Sequence, residues 1–126
     1  MTTGPPNGNA TSVVSLSVTD QAAIVVLHGE IDLTAHHEVT RCFEAAVRSG
    51  LPLVADLSGV TFADSTALNM LLRVTQEVPL SLAGPLAPQV SRLFEVSGVG
   101  AVLIVLASRE AAVRHASRTA GGRKSA

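Results

Sequence analysis

A chain of 126 residues, 47% hydrophobic, with one cysteine and a net charge of −1, has room for a single domain that buries its own core without a disulfide or a metal. No apolar run approaches the roughly 18–20 residues of a bilayer span and no charged-then-apolar leader opens the sequence, so the expectation is a cytoplasmic protein without membrane insertion. Taking Arg118, Arg123 and Lys124 of residues 117–126 out of the net −1 leaves −4 for the rest, ten acids against six arginines, and with neither Trp nor Tyr to stack bases this argues against nucleic-acid binding.

Residues 1–11 carry no charge and almost nothing to bury, which predicts a flexible lead before a domain over 12–116. Val14, Leu16 and Val18 alternate with polar positions as a half-exposed strand does, and Asp20 and Gln21 mark a turn into the apolar run 22–27, so the two segments read as a hairpin. Thr34 is the expected cap of a helix with Ala35, Val39, Cys42, Phe43, Ala46 and Val47 on one face, stopped by Gly50 and Pro52. Cys42 falls on that apolar face and reads as a buried, inert thiol. Leu53 to Leu57, interrupted only by Asp56, suits a central strand leading into a loop from Ser58 to Asp64.

Asp64 is then the N-cap of a second helix with the stripe Leu68, Leu71, Leu72 and Thr75, and Pro79 breaks the chain before a brief strand, Leu80 to Ala83. Leu86, Val90, Leu93, Phe94 and Ser97 mark a third helix closed by Gly98, and Ala101 to Leu106 is the last strand. Ser108 can cap a terminal helix reaching about Ala116 on the small residues Ala111, Ala112 and Ala116, with a flexible basic tail over 117–126. The order β-β-α-β-α-β-α-β-α predicts an α/β fold: one mixed sheet of four to five strands with about four helices.

The segment from Ser58 to Leu72, S-G-V-T-F-A-D-S-T-A-L-N-M-L-L, carries the functional signal. With Asp64 as cap, Ser65 and Thr66 lie in the first helical turn outside the apolar stripe, where a modifying enzyme can reach them. A phosphate on Ser65, or on the neighbouring second candidate Thr66, adds about −1.5 to −2 charges beside a carboxylate without touching the core. Unpaired N–H groups and the helix dipole tolerate an anion there, so its effect falls on a partner that needs a neutral hydroxyl.

These residues resemble the phosphorylation loop of STAS-domain anti-sigma-factor antagonists, in which Asp-Ser-Ser-Gly-Leu or a close variant stands at this place. G-E-I-D at Gly29 to Asp32 with Thr34 and Ala35, D-L-S-G-V at Asp56 to Val60, and V-S-R-L-F-E-V-S-G-V at Val90 to Val99 extend the resemblance, in family order, over about residues 12–107. It implies a small α/β domain that binds an anti-sigma factor, itself a serine kinase using ATP, and so frees a sigma factor. Phosphorylation of Ser65 would release that partner until a serine phosphatase restores the hydroxyl. Asp32, Asp64, Ser65 and Thr66 match the positions near the contacted surface; Asp32 also suits a helix-entry turn and Asp64 a plain N-cap. No cofactor is implied, and a monomer or weak dimer is expected.

Two positions depart from the family pattern. Ala67 stands where glycine usually follows the hydroxyl pair, stiffening the first turn, and the stretch from Leu68 to the strand at Leu80 is about one helical turn short. Either suits a member that is never phosphorylated, an adaptor subunit of a lipid-transport or stress-signalling complex. A Ser-His-Asp hydrolase assembled from Ser65, a histidine such as His28, and Asp56 or Asp32 has no G-x-S-x-G elbow to support it. His36 and His37 point about 100° apart on a helix and do not form a metal pair. The expectation is therefore a binding protein, not an enzyme.

Overall fold

Strands β1 (Val14–Val18), β2 (Ala23–Ile31), β3 (Leu53–Ala63), β4 (Leu80–Ala83) and β5 (Ile104–Leu106) lie side by side in chain order, the first pair antiparallel and the others parallel. The structure, a computed structural model, describes the backbone of residues 13–124 and side chains as far as Arg118; the lead expected over 1–11 lies outside the described residues. Each parallel pair needs a crossover, supplied by α1 (His36–Arg48), α2 (Ser65–Glu77) and α3 (Pro88–Ser97). Every crossover steps the same way across the sheet, and such connections are right-handed, so all three helices land on one face. A fourth helix, α4 (Arg109–Lys124), must cover the other. The result is the expected α/β fold, a mixed five-stranded sheet with four helices.

Strand alternation assigns the side chains to these two layers. Val25, Leu27, Leu53, Ala55 and Leu82 face α1–α3 and meet Val39 and Phe43, Leu68 and Leu71, Val90 and Phe94 in the main core. Ile24, Val54 and Ala83 face the opposite way and meet Ala112 and Ala116 of α4. The second core is small because alanines build its helical side.

The hairpin and the helix stops follow the sequence: Thr19 Oγ1 accepts from Gln21 and Ala22 N–H (3.1 and 3.0 Å), and Gly98 ends α3 in a left-handed conformation. Other boundaries differ. The segment expected as a loop, Ser58–Asp64, continues β3 as far as Ala63. Pairing explains this: β2 covers Val26 to Ile31 while β3 runs from Asp56 to Ala63, so β3 carries two extra residues and breaks register twice. Such bulges hide alternation from the sequence. Gly29, at φ 78°, takes the backbone turn at one slip, and Gly59 lies opposite His28 at the other. A Cβ on Gly59 would stand 2.9 Å from His28 Cβ, so the glycine of D-L-S-G-V is a packing requirement.

Asp32, not Thr34, caps the entry to α1, through a short 3₁₀ turn, Leu33–Ala35. Pro88 at the first helical position fixes the start of α3 two residues after Leu86. Val99 C=O accepts from Val102 and Leu103 N–H (2.9 and 2.8 Å), and this turn delays β5 to Ile104. Ser108 caps α4 as expected, accepting from Ala111 N–H at 3.1 Å, but the helix continues past Ala116 to Lys124. The apolar face ends at Ala116, whereas the backbone ladder needs no apolar face and meets no proline. Cys42 is half-buried, and burial, with Glu38 nearby, pushes its thiol pKa up, which suits an inert side chain.

Asp56 is buried between β3 and α4. Its Oδ1 accepts from the Ser58 N–H and hydroxyl (3.0 and 2.8 Å) and its Oδ2 from Arg109 Nε–H (2.8 Å). On β4, Ser81 Oγ and His115 Nδ1 of α4 form a second polar tie at 2.9 Å. Burial raises the Asp56 pKa, but the two Ser58 donors and the Arg109 guanidinium outweigh it, so the carboxyl lies below its ordinary 3.8. A depressed carboxylate contributes its full stability above the unfolded-state value and loses it as pH falls through the folded one. Arg109 is half-exposed, so solvent screens its share. Asp56→Ala is expected to lower stability by about 1–3 kcal/mol at neutral pH, with the gap from wild type closing below pH ~4, measured by denaturant melts across pH.

Candidate functional site

β2 and β3 end in register, Ile31 beside Ala63, and each is followed by an aspartate that opens a helix. Asp32 and Asp64 both have extended backbones (φ −127° and −110°), as N-caps require. The Asp64 N–H donates to Ile31 C=O at 3.4 Å, tying the two exits together. Asp64 Oδ1 accepts from Ala67 N–H at 3.0 Å. Asp32 Oδ1 accepts from the N–H of Thr34 at 3.0 Å and from its hydroxyl. That hydroxyl bond is the main cause holding the Asp32 carboxyl below its ordinary pKa, against a smaller opposing effect of desolvation. Two carboxylates therefore sit at adjacent strand ends.

Ser65 is the first residue of α2 and is exposed, while Thr66 is half-buried and Ala67 and Leu68 turn into the core. Among the described residues no hydrogen bond is formed by the Ser65 hydroxyl or by the N–H groups of Ser65 and Thr66. The cap has satisfied Ala67, leaving the first two N–H groups open to solvent or to an anion. The four site residues read from the sequence are thus gathered at one edge, with Ser65 the more accessible hydroxyl. His28 is exposed on β2, and Asp56 is committed to Ser58 and Arg109, so no Ser-His-Asp relay forms around Ser65. His36 is half-buried and His37 exposed, and no group of three metal-ligating residues comes together among the described residues.

Sequence reasoning missed three contributors. Leu33 is 69% exposed on the turn after Asp32, and Phe62 is 40% exposed two residues before Asp64. The bulges in β3 turn Phe62 outward, and the 3₁₀ turn does so for Leu33. The two side chains add exposed apolar area next in sequence to the two acids. The third is Gln89 of α3, whose side-chain amide accepts from Ala63 N–H at 2.9 Å and donates to Ala63 C=O at 2.8 Å. Beyond Asp56 no strand pairs with this side of β3 because β4 has ended, and Gln89 replaces one there. The only available signal was a glutamine at the second position of a helix.

The site is thus an exposed hydroxyl that directly follows one of two capping acids on a small α/β domain, with exposed Leu33 and Phe62 close to those acids in sequence. The sequence family described as "Mlab, STAS domain" matches residues 14–106, and the chain belongs to this STAS-domain family. No curated protein matches the sequence. Among solved structures, an anti-sigma factor antagonist from Mycobacterium paratuberculosis superimposes with a TM-score of 0.75 at 21% identity, over 82% of this chain and 92% of that one. The unphosphorylated form of the antagonist SpoIIAA gives 0.66 at 23% identity, over 80% and 94%. The phosphorylated form of SpoIIAA from Bacillus gives 0.60 at 23%, over 80% and 97%. At these identities the likeness is one of fold. No helix among the described residues is long and apolar enough to cross a membrane.

Replacing Asp64 by alanine removes the cap bond to Ala67 and frays the turn that carries Ser65. The expected loss is about 1 kcal/mol in a denaturant melt, with faster amide exchange at Ala67 and Leu68 than in α1.

Proposed function

We propose that this protein is an anti-sigma factor antagonist: it binds a cytoplasmic anti-sigma factor that is also a serine kinase, freeing a sigma factor, and lets go when Ser65 is phosphorylated. A serine phosphatase resets it, and the chain itself catalyses nothing. The observation that carries this reading is the Ser65 hydroxyl, exposed and unbonded at the head of α2 directly after the capping Asp64. The fold shared with SpoIIAA, a protein known in phosphorylated and unphosphorylated forms, supports it.

The physics favours a change of binding over a change of fold. A phosphoryl group on Ser65 meets the open N–H groups of Ser65 and Thr66 and the positive end of the α2 dipole, so the free protein accommodates it. A partner seated over Leu33, Phe62 and the two acids has to desolvate the same dianion. A penalty of roughly 3–4 kcal/mol corresponds to about 100- to 1000-fold in affinity, enough to convert binding into release.

A second reading rests on Ala67. It is 7% exposed and packed into the core where the family pattern has glycine, so a kinase meets a stiffer first turn. In that reading the chain is an unmodified adaptor subunit of a lipid-transport or stress-signalling complex, docking through the same surface.

The two readings separate by intact mass and affinity after incubation with ATP and the candidate anti-sigma kinase. The switch predicts one added phosphate on wild type, none on Ser65→Ala, and binding weakened about 100-fold or more by Ser65→Asp. An unchanged mass together with full binding by Ser65→Asp leaves the adaptor.

A further inference from the structure

The far edge of the sheet is built differently from the rest of the surface. Leu106 C=O accepts from Gly84 N–H of the segment after β4 at 2.8 Å, so the backbone polar groups of Leu106, and by alternation those of Ile104, point toward β4. Those of Val105 point away from the sheet, and no hydrogen bond reaches them among the described residues. The side chains of Ile104 and Val105 project to opposite faces and are 43% and 38% exposed. Val102, on the approach to the strand, is 53% exposed, and Val96, on the last turn of α3, is 73% exposed. Edge strands are ordinarily blunted by shortness, charge, proline, bulges or cover, and β5 has only the first of these among its own residues. Here residues 98–108, G-V-G-A-V-L-I-V-L-A-S, contain no charged residue.

We propose that this edge joins two copies of the chain, β5 to β5, in antiparallel register about a twofold axis at Val105. Three features select a second copy as the occupant. The exposed N–H and C=O of one residue are met by water or by another strand, and two Val105 residues facing one another exchange both bonds as an antiparallel pair. A twofold axis sets each group near its own copy, so a charged edge repels itself, whereas this charge-free stretch does not. The absence of charge also gives a charged partner nothing to grip. With only three residues in β5, the ladder is short and most of the contact falls to Ile104, Val105 and Val102. The contact lies at the opposite side of the sheet order from β1, and antiparallel pairing aims the two Ser65 edges in opposite directions, leaving both open.

The test is sedimentation velocity of the full chain over a concentration series, on wild type, Val105→Lys and Ser65→Asp, with circular dichroism to establish that each is folded. The expected results are a dimer fraction that grows with concentration for wild type and Ser65→Asp, and its loss in Val105→Lys, where two ammonium groups meet at the axis. Amide exchange at Val105 in wild type gives a reading without any substitution: protection is expected to rise with concentration. A wild type that stays monomeric at every concentration overturns the proposal, including when β5 is instead the seat of another protein's strand. So does a dimer undiminished in folded Val105→Lys, or a Val105 amide whose exchange ignores concentration. The partner-binding reading of Ser65 stands or falls separately.

Discussion

The parallel pairing that brings β2 and β3 to their ends side by side governs the rest of this molecule. Because Ile31 and Ala63 end their strands side by side, the next residues, Asp32 and Asp64, emerge together and each finds a helix to cap. Neither aspartate needs the other for this. Each is held by local N–H groups of its own turn, and the Asp64 N–H to Ile31 C=O bond links the two exits. The place where strands end is also where backbone donors are left over, so the sheet creates a polar edge and a neutral hydroxyl stands at its centre.

The same pairing is irregular for a reason the site depends on. β3 spends two more residues than β2 over the shared stretch, and the slips rotate Phe62 out of the core. With β4 ended, that side of β3 would be left unpaired at Ala63, and Gln89 meets it with a side chain instead of a strand. A paired fourth strand here would cover the surface beside Asp64. Substituting one amide satisfies the backbone while leaving that surface open.

Much of this was legible in residues whose physics is local. The alternation Val14, Leu16, Val18, the stops at Gly50 and Gly98, and the caps Asp64 and Ser108 each depend on neighbours within a few positions. Ser65 could be placed outside the stripe of Leu68 and Leu71 from helical spacing alone. What the sequence concealed depended on other strands. Ser58–Asp64 reads as a loop because two bulges erase its period, and the partner that imposes them is β2. Asp32 and Thr34 are both good caps, and the structure uses the first with the second as its donor, a choice invisible without the strand end at Ile31. Gln89 acts on a residue 26 positions away, beyond any local pattern.

In the proposed switch an added charge at this edge acts through the dielectric around it, which differs between the free protein and one covered by a partner. Two unit charges about 4 Å apart interact by about 1 kcal/mol in bulk water and by about 4 kcal/mol at the effective dielectric typical of pairs near a protein surface, and the interaction strengthens further as solvent is displaced. On the free chain a phosphate at Ser65 feels the weak repulsion of Asp64 and the compensating N–H groups of the first turn, so the fold is left as it was. A partner closing over Phe62 and Leu33, as proposed, would displace water and strengthen the same interactions. In that switch the exposed apolar side chains would be part of the electrostatics: by excluding water they would set how much one phosphate is felt.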